Sequence, residues 1–579
     1  MTWRRIPILA AVGLLAIPVA RSAAQTERPQ GAEYYALLEQ AGTAWRGGER
    51  ERAASLYGRL AHANPRDGEI WLAYALAAQS VGRMDQALAA ADSVVALGAG
   101  YRPGWSVKLL SLGLSDRPRL AYAVARWHAG LGHRTETLAW LGRALEWAFT
   151  PRTGLQTDPA FAAFREDPEF RRLAGFPPPG IDGREARWRR DIDYLVEEAR
   201  RLHASFEREA FSDEFNRAAT ELAAEVGALT DRQIVVRLQQ LVALLRDGHS
   251  RVAPATDDRA LPVDLYWFSD GLYVVDGVGE ARRLIGSKVL RFGAREVDAV
   301  LADLPRYVPR DNPMGVRWIG PVLLTQIDYL QALGATDDPS RATLTLRGRD
   351  GFVREVMLEG GELRPRPKLV APFGDTTRAP LYLRHVATPY WMTRLDSLGA
   401  IYVQFNQVRN REDGESLAEF ARSLRTAVED DAVRTLIVDV RHNNGGNSYL
   451  LPPLLRVLAF FEESRAGRRI FYLAGRNTFS AAQNFSTQVQ RLTQAVFVGE
   501  PTGSSPRFTG EGPYWFELPF SRTQVSISNW YHQFTFWPDR RLWIAPEVPV
   551  EPSAADYFAG RDPALEAVQA ILRKGPGAR

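Results

Sequence analysis

The chain has 579 residues, 45% of them hydrophobic and 24% charged, enough for about three or four globular domains. It holds no cysteine, which excludes disulfides, thiol nucleophiles and thiolate metal sites. The formal net charge is +4, but Arg4, Arg5 and Arg21 all lie in the first 24 residues; the 72 basic residues less those three leave 69 against 68 acidic, or +1. That balance asks for neither nucleic acid nor a membrane surface.

Residues 1–24 read as a secretory leader. Two arginines precede the apolar run Ile6 to Ala20, and Ser22-Ala23-Ala24 offers small residues for cleavage. The run is short and interrupted by Pro7 and Pro18, so membrane attachment is expected only if the leader stays uncleaved. Export to the periplasm or the extracellular space is the expectation. From 31 to 175 the chain is rich in Ala, Leu and Arg with helical periodicity. Two segments align at a spacing of 34: the first has Ala41, Ala53, Tyr57 and Pro65, and the second has Trp71, Ala75, Gly82 and Ala87. Small residues at helix crossings with Gly turns resemble tetratricopeptide repeats. Such an array either binds a protein partner or acts as a helical spacer.

Phe176-Pro-Pro-Pro-Gly180 marks a linker. A cap of helices is expected over 188–255, with Thr230 and Gln233 as a capping box. Its last helix runs toward Leu245 and stops at Gly248, which places His249 at a rigid corner. Residues 260–360 read as mostly strand; Gly271–Val275 and Leu290–Val297 resemble pieces of a degenerate PDZ-like β module without its carboxylate-binding loop. The span 361–395 is Pro-rich and irregular. From Gly399 strands alternate with helices: Ile401–Phe405, an amphipathic helix through Leu417 and Leu424, Leu436–Val440, then a helix from Leu450 to Phe461. This β/α alternation predicts a parallel sheet. Tail strands are expected at Tyr514–Leu518 and Gln524–Ser528, and a final helix from Asp562-Pro563.

The chemistry converges on Arg469–Leu492. Ile470, Tyr472 and Leu473 suit a buried strand, Gly475-Arg476-Asn477 breaks it, and Ala481, Phe485, Val489 and Leu492 recur at helical spacing. Ser480 then stands at a helix N-terminus. Two readings stay open there: a helix cap, or a nucleophile beside free N–H groups. Asp439-x-Arg441-x-Asn443-x-Gly445-Gly446 follows the preceding strand and can bring a second N–H into the same space. No His-Glu-x-x-His pattern or metal set occurs, and Gly277-x-Gly279 is no nucleotide fingerprint, so no cofactor and no metal are expected.

In order, helix-Asp-Gly-His, strand-Asp-x-Arg-x-Asn-x-Gly-Gly, strand-turn-Ser-Ala-Ala and Val498-Gly-Glu-Pro-Thr-Gly503 resemble the tail-specific, or C-terminal processing, serine protease family. The resemblance covers about residues 188–572 and is sharpest over 399–510. It implies a multidomain α/β protein: helical repeats, a helical cap, the PDZ-like module, and a crotonase/ClpP-like β/α protease core over 395–572. It implies peptide or protein substrates and an acyl-enzyme on Ser480, with Gly445 and the Ala481 N–H as the oxyanion hole. One branch of the family uses a downstream Lys as base. Here position 505 is Ser505 and no Lys lies between 369 and 573. The resemblance therefore points to the tricorn-like branch, with His249 as base and His442 as its competitor; His385 and His532 have no such context. Gly248 stands where that branch has a Ser. The group orienting His249 is left among Glu500, Glu511 and Asp247. Two other functions stay open: a catalytically silent peptide- or ligand-binding module, and hydrolysis of an acyl ester or thioester.

Overall fold

The computed structural model describes residues 31–97, 117–147, 152–204, 212–254, 259–362, 372, 379–412, 414–510, 515–536 and 539–574. The expected leader and Glu511 lie outside them. The chain divides into two compact units, Met1–Phe149 and Thr150–Arg579.

The first unit consists, among its described residues, of helices α1 (Ala32–Arg46), α2 (Arg50–Ala63), α3 (Gly68–Ser80), α4 (Met84–Ala96), α5 (Arg117–Gly130) and α6 (Arg134–Glu146). Ala41, Ala44, Ala53, Ala54 and Ala61 are at most 1% exposed, so the backbones of α1 and α2 approach closely through residues without bulk. Asp67 Oδ1 accepts the N–H groups of Glu69 and Ile70 and fixes the start of α3. The segment 152–175, expected as the end of this array, belongs to the second unit instead. Arg152 pairs with the buried Glu198, and Gly175 lies against Tyr194. Two capped turns lie in it: Asp158 accepts the Ala160 N–H, and Asp167 accepts those of Glu169 and Phe170.

The second unit opens with α7 (Arg184–Leu202), α8 (Asp213–Glu225) and α9 (Asp231–Ala243). The capping box of Thr230 and Gln233 forms at the start of α9. The helix ends earlier than the sequence indicates. Leu244, Leu245 and Arg246 tighten into i→i−3 bonds, and Arg246, not Gly248, takes the left-handed conformation. The next module is a six-stranded antiparallel sheet: β1 (Val263–Phe268), β2 (Gly271–Gly277), β3 (Lys288–Phe292), β4 (Arg341–Arg347) and β5 (Val353–Glu359) lie in sequence order, and the two-residue strand Arg295–Glu296 pairs with β3 off that path. Helix α10 (Pro313–Leu323), capped by Asn312, packs into its core.

The α/β core is a six-stranded sheet, again in sequence order: β6 (Tyr390–Leu395), β7 (Ala400–Phe405), β8 (Thr435–Asp439), β9 (Arg469–Ala474), β10 (Val496–Gly499) and β11 (Val548–Pro549). All neighbours are parallel except β6 and β7. Strand β6 falls in the span read as irregular, so the core begins at Tyr390. Its Pro-rich flank masked a half-exposed edge strand. Strands β7 to β9 are apolar on both faces because both are covered. Ile401, Leu436, Ile470 and Tyr472 meet α11 (Leu417–Ala427), α12 (Pro452–Ser464) and α13 (Ala481–Leu492). Tyr402, Ile437, Phe471 and Leu473 meet α14 (Pro563–Arg573) on the other side. Strands β8, β9 and β10 end together, so the loops 440–447, 475–480 and 500–505 gather at their carboxyl ends, where parallel sheets place their ligand sites.

Candidate active site

Ser480 is the N-cap of α13, with φ 55° and ψ −121°. A non-glycine residue in that region carries about 1–3 kcal/mol of strain. Its side chain makes no capping hydrogen bond, so the cap reading is not what the geometry uses. The Ser480 N–H donates to Ser504 Oγ (3.2 Å), and its carbonyl accepts the Asn484 N–H. The Ala481 N–H meets no acceptor among the described residues, which leaves it open beside the Ser480 side chain.

The glycine turn is pinned to this corner. Asn443 O accepts the Phe479 N–H (3.1 Å), Asn443 Nδ2 donates to Phe405 O (3.0 Å), and Thr478 Oγ1 donates to Val440 O (3.2 Å). Gly445 has φ +112°, and a Cβ built on it would lie 2.7 Å from Ser480 Cβ. Only glycine lets the turn lie this close to the serine. The expected oxyanion role of Gly445 meets a competitor, however: its N–H already donates to Asn443 Oδ1 (3.0 Å). Asp439 and Arg441 are structural. The Arg441 guanidinium bridges Asp439 and Asp562, both at the sheet's carboxyl end, and so ties the turn to the start of α14.

His249 is 6% exposed and lies next to the serine corner. Its ring stacks on Phe479, the residue before Ser480, at 4.4 Å, and on Phe508 at 5.4 Å. Neither ring nitrogen closes a well-formed hydrogen bond; the Thr509 backbone faces the ring, and no His249–Ser480 hydrogen bond exists in this conformation. Burial lowers its pKa to about 4; the Asp247 charge opposes that shift, while His532 and Arg251 add to it. The Gly248 departure has a steric cause: a Cβ there would lie 2.6 Å from the Phe479 ring.

The three expected orienters do other work or lie outside the described residues. Asp247 Oδ1 accepts the N–H groups of His249 and Ser250 and the Ser528 hydroxyl, while Oδ2 faces His203 Nε2 at 2.9 Å. It builds the corner without bonding the His249 ring. Burial disfavours its charge, yet His203 and Ser250 hold the carboxyl well below the usual range. Glu500 is a correction: both of its oxygens are taken by Arg476, deep under the 260–360 module, where Arg476 also donates to Trp267 O. Burial opposes its ionisation, and the Arg476 charge more than offsets this. Replacing Arg476 with Met would strand that carboxylate. The expected result is a loss of about 3–5 kcal/mol in denaturant unfolding, part of it recovered in the Arg476→Met/Glu500→Gln pair.

His442, the competing base, is tied by Nε2 to Tyr382 O (2.8 Å) and lines a different space. This is a cavity of about 330 Å³ walled by Tyr266, Trp318, Tyr382, His442 and Asn477, which does not include Ser480. Sequence reasoning missed two neighbours of the site. His532 stacks on the far side of the aromatic group, 4.8 Å from Phe508, to which it is paired across adjacent strands. Asp311, from the 260–360 module, accepts the Gly248 N–H at 2.7 Å. The β alternation at 530–533 could have flagged the first; nothing local marks the second. Among the described residues no group of His, Asp and Glu could hold a metal ion, and no helix is long and apolar enough to cross a membrane.

No protein-family model matches the chain, and no curated protein matches it. Among solved structures, mature CPAF is similar at 14% identity and a TM-score of 0.49, over 68% of this chain and 99% of that one. A putative peptidase from Parabacteroides merdae is similar at 15% identity and a TM-score of 0.36, over 69% and 100%. The tricorn protease is similar at 17% identity and a TM-score of 0.33, over 67% of this chain and 37% of its own.

Proposed function

We propose that the chain is an exported serine peptidase of the tail-specific, tricorn-like kind. The observation that carries this reading is Ser480 itself: a strained, uncapped serine between a sheet strand and a helix, next to an open N–H. Strain of this kind persists where the surrounding structure enforces it, and it presents a hydroxyl at the top of a sheet. In the proposed reaction the His249 ring edge turns to Ser480 Oγ and takes its proton. The oxygen attacks the peptide carbonyl. The Ala481 N–H holds the oxyanion, joined by the Gly445 N–H as that group exchanges Asn443 for the substrate oxygen, an effect worth about 3 kcal/mol per donor. His249 returns the proton to the leaving amine, and water releases the acyl group by the same route. The first-unit helices are assigned to a protein partner.

The testing experiment is labelling of the purified chain with a fluorophosphonate, followed by peptide mapping. The adduct is expected on Ser480. An unlabelled protein, or an adduct elsewhere, removes the reading. A second reading, a silent binding module, draws on the 330 Å³ cavity apart from Ser480 and on a His249 ring that makes no hydrogen bond to Ser480. It expects no adduct at all.

A further inference from the structure

We propose that Asp311 is a positioning residue of the Ser480 site, one carboxyl that couples the corner carrying His249 to the loop that holds the serine backbone. The inference rests on Ser480 being the nucleophile.

Three segments far apart in sequence meet at this carboxyl. From the cap, the Gly248 N–H donates to Oδ1 at 2.7 Å. A Cβ built on Gly248 would lie 3.3 Å from that same oxygen and against the Phe479 ring, so the corner has no room to shift outward. From the loop after β10, the Ser504 hydroxyl and the Ser505 N–H face the carboxyl. Ser504 is fully buried, and its oxygen accepts the N–H of Ser480. A Ser504 hydroxyl turned toward the carboxylate presents its lone pairs to Ser480, which is the orientation that bond requires. The next residue clamps the same junction: Asn312 Nδ2 donates to Thr502 O (3.1 Å) and Leu542 O (2.8 Å).

Stability does not account for this arrangement. No cation is among the groups acting on Asp311, and Oδ2 is buried without a closed hydrogen bond. A buried carboxyl with unused acceptor capacity costs free energy that an apolar residue would not. It stands where two requirements of the site meet: the His249 corner, and a serine backbone in a strained conformation. Burial pushes its pKa up to about 7, with the Asp247 charge adding and the Ser504, Gly248 and Ser505 donors opposing. Asp247 is the charged group facing it. The ionised form accepts these donors, so the site tightens as pH rises through about 7.

The test follows the rate of fluorophosphonate labelling against pH in the full chain. The wild-type rate is expected to rise in a step near pH 7, separate from any limb near pH 4. In Asp311→Asn that step disappears, while the amide still accepts the Gly248 N–H. Asp311→Ala is expected to fall about 100-fold at pH 8, the scale of a misplaced reacting group, with the Asn variant well above it. Ser504→Ala leaves Asp311 in place and is expected to lose the step as well. An unchanged step in Asp311→Asn, or wild-type rates in both Asp311→Asn and Ser504→Ala, would overturn the proposal. Failure of the underlying reading looks different: the wild-type chain then takes no label on Ser480, and the coupling falls with it.

Discussion

Ser480→Ala is expected to lower peptide hydrolysis by about a million-fold while leaving the fold intact. Chemistry and stability part at this residue. The Ser480 hydroxyl caps nothing, so its removal strips no N–H of a partner. The substituted residue keeps a Cβ at φ 55°, so the strain is unchanged. Unfolding free energy should therefore move by less than about 1 kcal/mol. Ser480→Gly sharpens the comparison. Glycine adopts this conformation without strain, so that variant should be more stable than the wild type by about 1 kcal/mol and just as inactive. A stability gain with loss of turnover is the signature of strain held for function. Hydrolysis or labelling that survives in Ser480→Ala would place the chemistry elsewhere. An unfolded Ser480→Ala would return the residue to the cap role.

Much of the core was legible because it follows period and punctuation. The apolar runs at 401–405, 436–440 and 470–473 become strands β7, β8 and β9, and Thr230-x-x-Gln233 caps its helix as written. The serine corner was legible too, since Gly475 ends the strand and Ala481, Phe485 and Val489 share one helix face. What stayed hidden is set by contacts between distant segments. Gly248 reads as a helix stop, but its lack of a side chain answers to the Phe479 ring, 231 positions away in sequence, and the helix stops earlier at Ala243. Glu500 reads as a candidate orienter of His249, yet Arg476 takes both its oxygens. Gly445 reads as an open donor, yet Asn443, two residues before it, turns back to accept its N–H. Asp311 carries no motif; only the docking of the 260–360 module beside the core brings it to Gly248.

His249→Gln is the second change with a large expected effect, about 10⁴-fold in hydrolysis, at the upper end of what a positioned base contributes. His442→Gln should stay within a few-fold of wild type, because that ring is committed to Tyr382 O. The pH profile carries more information than either loss. An ordinary His base gives an acid limb near 6.5. Here burial between Phe479 and Phe508 lowers the His249 pKa to about 4, so the limb it contributes is expected there, and the ring stays neutral and ready to accept a proton across the physiological range. Folding is linked to the same group, with a definite sign. The folded pKa lies below the unfolded one, so the native state binds fewer protons. The associated stability is complete above the unfolded value and is lost as pH falls from about 6.5 toward 4. His532, lowered to about 4 by its own burial, adds a parallel loss. His249→Phe should therefore abolish turnover yet resist acid unfolding better than wild type. Phe508→Leu, which loosens one side of the stack, should move the acid limb of turnover upward toward 6.5. An acid limb near 6.5 that persists in Asp311→Asn would mean that His249 works from a solvated position outside this stack, and the aromatic clamp would then be a resting arrangement that substrate must open.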